Sequence, residues 1–209
     1  MFADFAKNAH RQYERTLEKF PKVRAAATKI DNVIVLENSK APIDSSLVKT
    51  REYLDGDAAD ARGLASNAER TLVVIYENHK KKPAALEGAL VTQGGDTVNH
   101  ELGHFAGNKL SQTAKFKKAY VSDLKVAAAA LRSAPDNSEL KSKLEYLKHY
   151  TQGADFSTPI SEKDVTSRGL KEMFAECFSM IADDHPSEIN KVFRELFPNS
   201  MQAAFELVA

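Results

Sequence analysis

Residues 97–107 of the chain read TVNHELGHFAG, which contains His100-Glu101-x-x-His104. On a helix, positions i and i+4 are neighbours with Cβ atoms about 5–6 Å apart, so both imidazoles can reach one cation. Glu101, turned away from that line, misses the cation and faces its bound water, where a carboxylate serves as a base. Neutral imidazole with carboxylate and an open fourth position is the arrangement of catalytic zinc, which lowers the pKa of its water to about 7. The predicted cofactor is therefore Zn2+. The flanking residues Thr97, Val98, Asn99, Leu102, Gly103, Phe105 and Ala106 are all uncharged. That composition suits a helix buried beneath a cleft better than a surface helix carrying two spare histidines.

Such a site needs a third protein ligand. A third histidine placed three residues after Gly107 would complete the extended metzincin pattern, but Leu110 stands there, so that form is rejected. The remaining histidines, His10, His79, His149 and His185, have no partner at ligand spacing. The one cysteine, Cys177, excludes a thiolate zinc site and an internal disulfide, and reads as a small core residue. Better candidates are Glu172 and Glu176 in LKEMFAECFS, one turn apart beside a strongly apolar helix face that must be buried.

The elements that would hold these residues follow from periodicity. Phe2, Phe5, Ala9, Tyr13, Leu17 and Phe20 recur at helical spacing, so an N-terminal helix runs to Pro21, within a helical segment spanning about residues 1–30. Strands are predicted at Asn32–Glu37 and Thr71–Tyr76, with a weaker third at Glu87–Thr92. Ser45–Leu54 reads as helix, and the Gly, Ala and Asp-rich stretch Gly56–Asn67 as loop. Beyond Gly95 the pattern is helical: Val98–Leu110, a stripe from Phe116 to Leu131, another from Leu140 to Leu147, and two well-patterned helices over Leu170–Ile181 and Ile189–Leu196. A few strands followed by helices predict one α+β domain over residues 1–209, with a small mixed sheet and a mostly helical C-terminal half.

Twenty-nine basic and 29 acidic residues give a formal charge of zero, which supplies no long-range field to gather nucleic acid. No apolar run approaches the roughly 20 residues of a membrane helix, and the charged, helical N-terminus lacks the features of a secretory leader. Lys80, Lys81 and Lys82 beside Pro83 read as a solvated turn.

The two blocks VNHELGHFA (residues 98–106) and EMFAECF (residues 172–178), with SQTAKFKK (residues 111–118) after the first, resemble the catalytic domain of the anthrax-lethal-factor-like (ATLF-like) zinc metallopeptidases, the group that includes the Pro-Pro endopeptidases. The resemblance covers about residues 65–197. It implies a zincin fold, zinc held by His100, His104 and Glu172, Glu101 as general base and proton shuttle, and Glu176 as the acceptor that orients a ligand imidazole. The implied reaction is hydrolysis of a peptide bond in a protein or peptide substrate. The interval between the blocks is longer than is usual in that group. Val165 stands near the place of the group's oxyanion-stabilising tyrosine, leaving Tyr150 or Tyr146 as a candidate donor. In zincins an edge strand above the active-site helix pairs with extended substrate, for which Thr71–Tyr76 and Glu87–Thr92 are the candidates, either of which fits a buried central strand equally well. Because the group is rich in secreted toxins, the resemblance implies export by a leaderless route or as a mature form, with a cytoplasmic location as the alternative. Two rival functions are a zincin-fold binding or toxin-delivery module without turnover, and a zinc hydrolase of non-protein amides.

Overall fold

The computed structural model describes residues 2–56, 61–81, 95–133, 159–183 and 188–209. The expected strand at 87–92, the helix over 140–150 with Tyr146 and Tyr150, and His149 and His185 lie outside the described residues. The described part is an α+β arrangement of helices around a three-stranded mixed sheet. No described helix is long and apolar enough to cross a membrane.

The N-terminal segment is two helices, α1 (Phe2–Lys19) and α2 (Pro21–Ala27). Pro21 ends the first, as its missing N–H requires, and also opens the second from the first helical position, which its fixed φ suits. Phe5, Ala9 and Phe20 are buried, and the ring of Phe5 meets Tyr76 with centroids 5.0 Å apart.

Strands β1 (Asn32–Leu36), β2 (Gly63–Ser66) and β3 (Thr71–Ile75) lie in the order β1-β3-β2. β1 runs parallel to β3, pairing Asn32 with Thr71 and Leu36 with Ile75, whereas β2 runs antiparallel, pairing Gly63 with Val74 and Ser66 with Thr71. All five β3 residues are buried, which is why TLVVI is a continuous apolar run: a central strand covered on both faces has no polar side. One expectation is corrected here: the stretch Gly56–Asn67 is not wholly loop, because its end forms β2. Of the two alternatives for Thr71–Tyr76, the strand is the buried central one and not an edge. GLAS has no β-branched residue to announce a strand; pairing with β3 imposes the extended form. The hairpin turn closes through Arg70, whose φ of 51° is left-handed. Its side chain reaches the Lys29 carbonyl and pairs with Asp31 at 3.0 Å.

One sheet face carries a satellite core of Leu36, Leu54, Val73 and Ile75 beneath α3 (Val48–Asp55). The N-terminus of α3 is capped from the hairpin turn, where the Glu69 carboxylate accepts from the Lys49 and Thr50 amides at 2.8 and 2.7 Å. The other face joins the main core built by α5 (Gly95–Leu110), α6 (Ala114–Ser133) and α7 (Ser167–Ala182), with α4 (Tyr76–Lys81) following β3. Helices α8 (Glu188–Leu196) and α9 (Pro198–Val208) close the C-terminal side. Phe197 gives α9 no side-chain cap. Instead buried Asp123 of α6 accepts from the Ser200 amide and hydroxyl, both at 2.7 Å, and from Asn199 Nδ2 at 2.7 Å.

Candidate metal centre

Helix α5 lies between β2 and α7, and glycines set how closely it is held on the α7 side. A Cβ built on Gly103 would stand 2.7 Å from Ala175 Cα, and one on Gly107 2.6 Å from Phe174 Cδ1. The two glycines are one turn apart, so the α5 backbone settles directly on α7, bringing the acidic edge of α7 to the histidine edge of α5. Thr166 caps α7, its hydroxyl accepting from the Gly169 amide at 2.9 Å. Ser179 Oγ donates to the Asp96 carbonyl at 2.9 Å, tying α7 to the first turn of α5. On the opposite side Thr16 Oγ1 donates to Asn99 Oδ1 at 2.6 Å, anchoring α1 to the residue before His100.

This packing supports a direct prediction. In Gly103→Ala the obstruction is backbone, so the helices must separate, an overpacking cost of about 2 kcal/mol. Glu172 and Glu176 would travel with α7. Urea unfolding of the metal-free chain is expected to show that loss, and zinc titration a drop in affinity of at least about tenfold; a neutral substitution would mean that the glycine contact does not set the site.

The structure brings His100, His104 and Glu172 together, with one potential ligand atom from each lying within 4.8 Å of the others. The separations are 3.0 Å between the two Nε2 atoms, 3.6 Å from His100 Nε2 to Glu172 Oε2, and 3.5 Å from His104 Nε2 to Glu172 Oε2. A tetrahedral ion with ligand bonds of 2.0–2.1 Å spaces its donors by about 3.3 Å, so this triangle has the size such an ion requires. The three side chains are 20%, 19% and 22% exposed, so the triangle is not sealed from solvent.

Glu176 stands outside the triangle. Its Oε2 lies 2.7 Å from His100 Nδ1, a distance at which the Nδ1–H donates to the carboxylate and leaves the Nε2 lone pair free to face the triangle. Glu101 points the other way from α7, toward β2, and is only 6% exposed. Burial pushes its carboxyl pKa up, against the pull of His100 and His104. A carboxyl tuned upward in this way is better matched to proton transfer near neutral pH.

The charges respond to one another. Burial disfavours the His100 imidazolium, but hydrogen bonds with Glu172 and Glu176 outweigh it and hold the pKa well above the ordinary 6.5. Burial likewise works against the Glu172 carboxylate, yet contacts with His100 and His104 hold its pKa far below 4.5. The sign of the resulting pH dependence is fixed. The raised histidine contributes stability in full below about pH 6.5 and loses it as pH climbs through its elevated value, whereas the depressed glutamate contributes above about 4.5 and loses it only in acid. The metal-free chain should therefore be most stable between about pH 5 and 6.5, with Tm falling at higher pH as the raised histidine loses its proton. Zinc opposes the decline above about pH 6.5, because fewer protons then compete for the ligand nitrogens, and adds little stability at the acidic end. Scanning calorimetry with and without chelator checks this; identical profiles would contradict it.

Other residues singled out in the sequence stay apart from the triangle. His10 is exposed on α1, and Cys177 is a buried free thiol whose pKa burial raises. Val165, at the end of a short 3-10 turn, packs against the main core and offers no hydroxyl. The features that sequence reasoning missed are β2 over Glu101 and the Gly103 and Gly107 seat; the four-residue spacing of those glycines was the available signal.

No protein-family model, curated protein or solved structure matches this chain in comparisons of sequence and structure.

Proposed function

We propose that the chain is a zinc-dependent endopeptidase with a zincin-like architecture, of the kind its two motif blocks resemble. The observation that carries this reading is the donor triangle of His100, His104 and Glu172, with Glu176 on the outer nitrogen of His100. Zinc, when bound, supplies Lewis acidity and a readily ionised water. The chain's own residues supply the rest. Glu176 accepts from the His100 Nδ1–H and so fixes the tautomer and ring orientation. Glu101, buried beneath β2, takes a proton from water held at the site and returns it to the leaving amine, since a base that is reprotonated in the first step becomes the acid of the second.

The sheet supports a peptide as substrate. The Ile75 amide donates to the Arg62 carbonyl at 2.8 Å, so Arg62, Leu64 and Ser66 face β3 with their main-chain groups, while those of Gly63 and Ala65 point away from it. Among the described residues no strand pairs on that side. An extended peptide laid there would gain main-chain hydrogen bonds beside Glu101.

The test is incubation of the zinc-loaded chain with a broad peptide library. Cleavage that chelator abolishes and zinc restores is the expected result. Stoichiometric zinc with no cleavage would favour the binding or delivery module, the reading that Val165 in place of a phenol suggests. Cleavage of peptidoglycan fragments but not of peptides would favour a hydrolase of other amides.

A further inference from the structure

We propose that Gly63 is a positioning residue for Glu101: having no side chain, it lets the β2 backbone lie directly on the carboxylate and hold it in its working orientation. The proposal rests on the reading of Glu101 as the base of a metal centre. Its starting point is the alternation of β2. Leu64 packs with Leu36, Leu54, Val73 and Ile75 on the sheet face turned away from α5, so Gly63 and Ala65 have their Cα hydrogens or side chains toward α5. A Cβ built on Gly63 would stand 2.7 Å from Glu101 Oε1, 3.0 Å from Glu101 Cγ and 2.4 Å from Thr97 Cγ2. Thr97 and Glu101 are one turn apart on the same face of α5, so a single strand position touches both.

Backbone conformation does not explain the glycine. Gly63 lies in an ordinary strand, without the left-handed φ that favours glycine, so close approach is what calls for it here. Nor does it resemble Gly103, where the obstructing atoms are helix backbone. At Gly63 the obstructing atoms belong to side chains, and they differ in stiffness. Thr97 is β-branched and restricted at χ1, whereas the Glu101 carboxylate is the end of a long side chain that turns easily. With Thr97 in place its stiff methyl makes β2 and α5 shift apart slightly as well, but once that methyl is removed the least costly response to a methyl group at position 63 is rotation of Glu101 away from its seat, with sheet and helix left in place. A general base displaced by an ångström loses much of its effect while the fold survives.

Thr97 offers a way to separate packing from positioning. Thr97→Ser removes the Cγ2 methyl, the nearest obstruction, and leaves the conflict with the carboxylate untouched. The experiment compares wild type, Gly63→Ala, Thr97→Ser and the double variant, loaded with zinc for peptide turnover and with cobalt for visible absorption. Gly63→Ala is expected to bind zinc within about threefold of wild type and to keep KM within about threefold, with kcat reduced about 100-fold, the scale of a general-base contribution. The double variant should regain wild-type Tm and still show the low kcat. The cobalt absorption of both alanine variants should differ from that of wild type, because a neighbour of the site has moved.

Recovery of kcat in the double variant would overturn the proposal in favour of simple packing. So would an unchanged kcat in Gly63→Ala, or cobalt spectra indistinguishable from wild type. If Gly63→Ala fails to fold, the double variant carries the same comparison. A wild-type chain that cleaves no peptide would defeat the peptidase reading alone, and the cobalt spectra would then decide the role of Gly63.

Discussion

Glu101→Gln is expected to bind zinc as the wild type does and to lose peptide hydrolysis by about 10²–10⁴-fold, the range that positioned proton transfer supplies. The amide is nearly isosteric with the carboxylate, so it fits the same space against Gly63 and the fold is undisturbed. What is removed is the capacity to take a proton. Because Glu101 is not one of the three clustered donors, its replacement leaves His100, His104 and Glu172 where they are. Isothermal titration with zinc and turnover of a cleaved peptide read the two halves of the prediction separately. Loss of zinc in this variant would show that Glu101 is a ligand and that the assignment of roles is wrong.

The second large effect separates the two carboxylates of α7. Glu172 Oε2 is a vertex of the donor triangle, whereas Glu176 touches the site only through His100 Nδ1. Removing a carboxylate that merely orients a ligand typically costs 10–100-fold in metal affinity. Glu176→Ala should fall in that range, and Glu172→Ala well beyond it, since a three-donor site becomes a two-donor one. Competition with a chromogenic chelator measures both. The reverse ranking would exchange the two roles.

How much of this was legible in the sequence depends on how local each signal is. The histidine pair and Glu101 follow from helical periodicity alone, because residues one turn apart must share a face. Glu172 and Glu176 are on a face adjacent to apolar residues that had to be buried, so their direction could be inferred, although which of them meets the histidines rested on resemblance. β3 was legible from its apolar run. β2 was not, since Gly63, Leu64, Ala65 and Ser66 owe their extended form to β3 and their composition to α5. Nor could the polar anchors be read: Asp123 meets Ser200, and Thr16 meets Asn99, across more than 70 residues of chain, with no spacing rule to connect them. The close seat of α5 on α7 shows why two glycines flank His104, Phe105 and Ala106, a pattern that in the sequence looked only like absence of charge.

The proposed binding of zinc by His100, His104 and Glu172 is put to the test by a crystal structure of the zinc-soaked protein with an anomalous difference map at the zinc edge. The predicted result is one peak about 2.0–2.2 Å from His100 Nε2, His104 Nε2 and a Glu172 carboxylate oxygen. A peak bonded to any other set of side chains, or no peak at this triangle at saturating zinc, would contradict it.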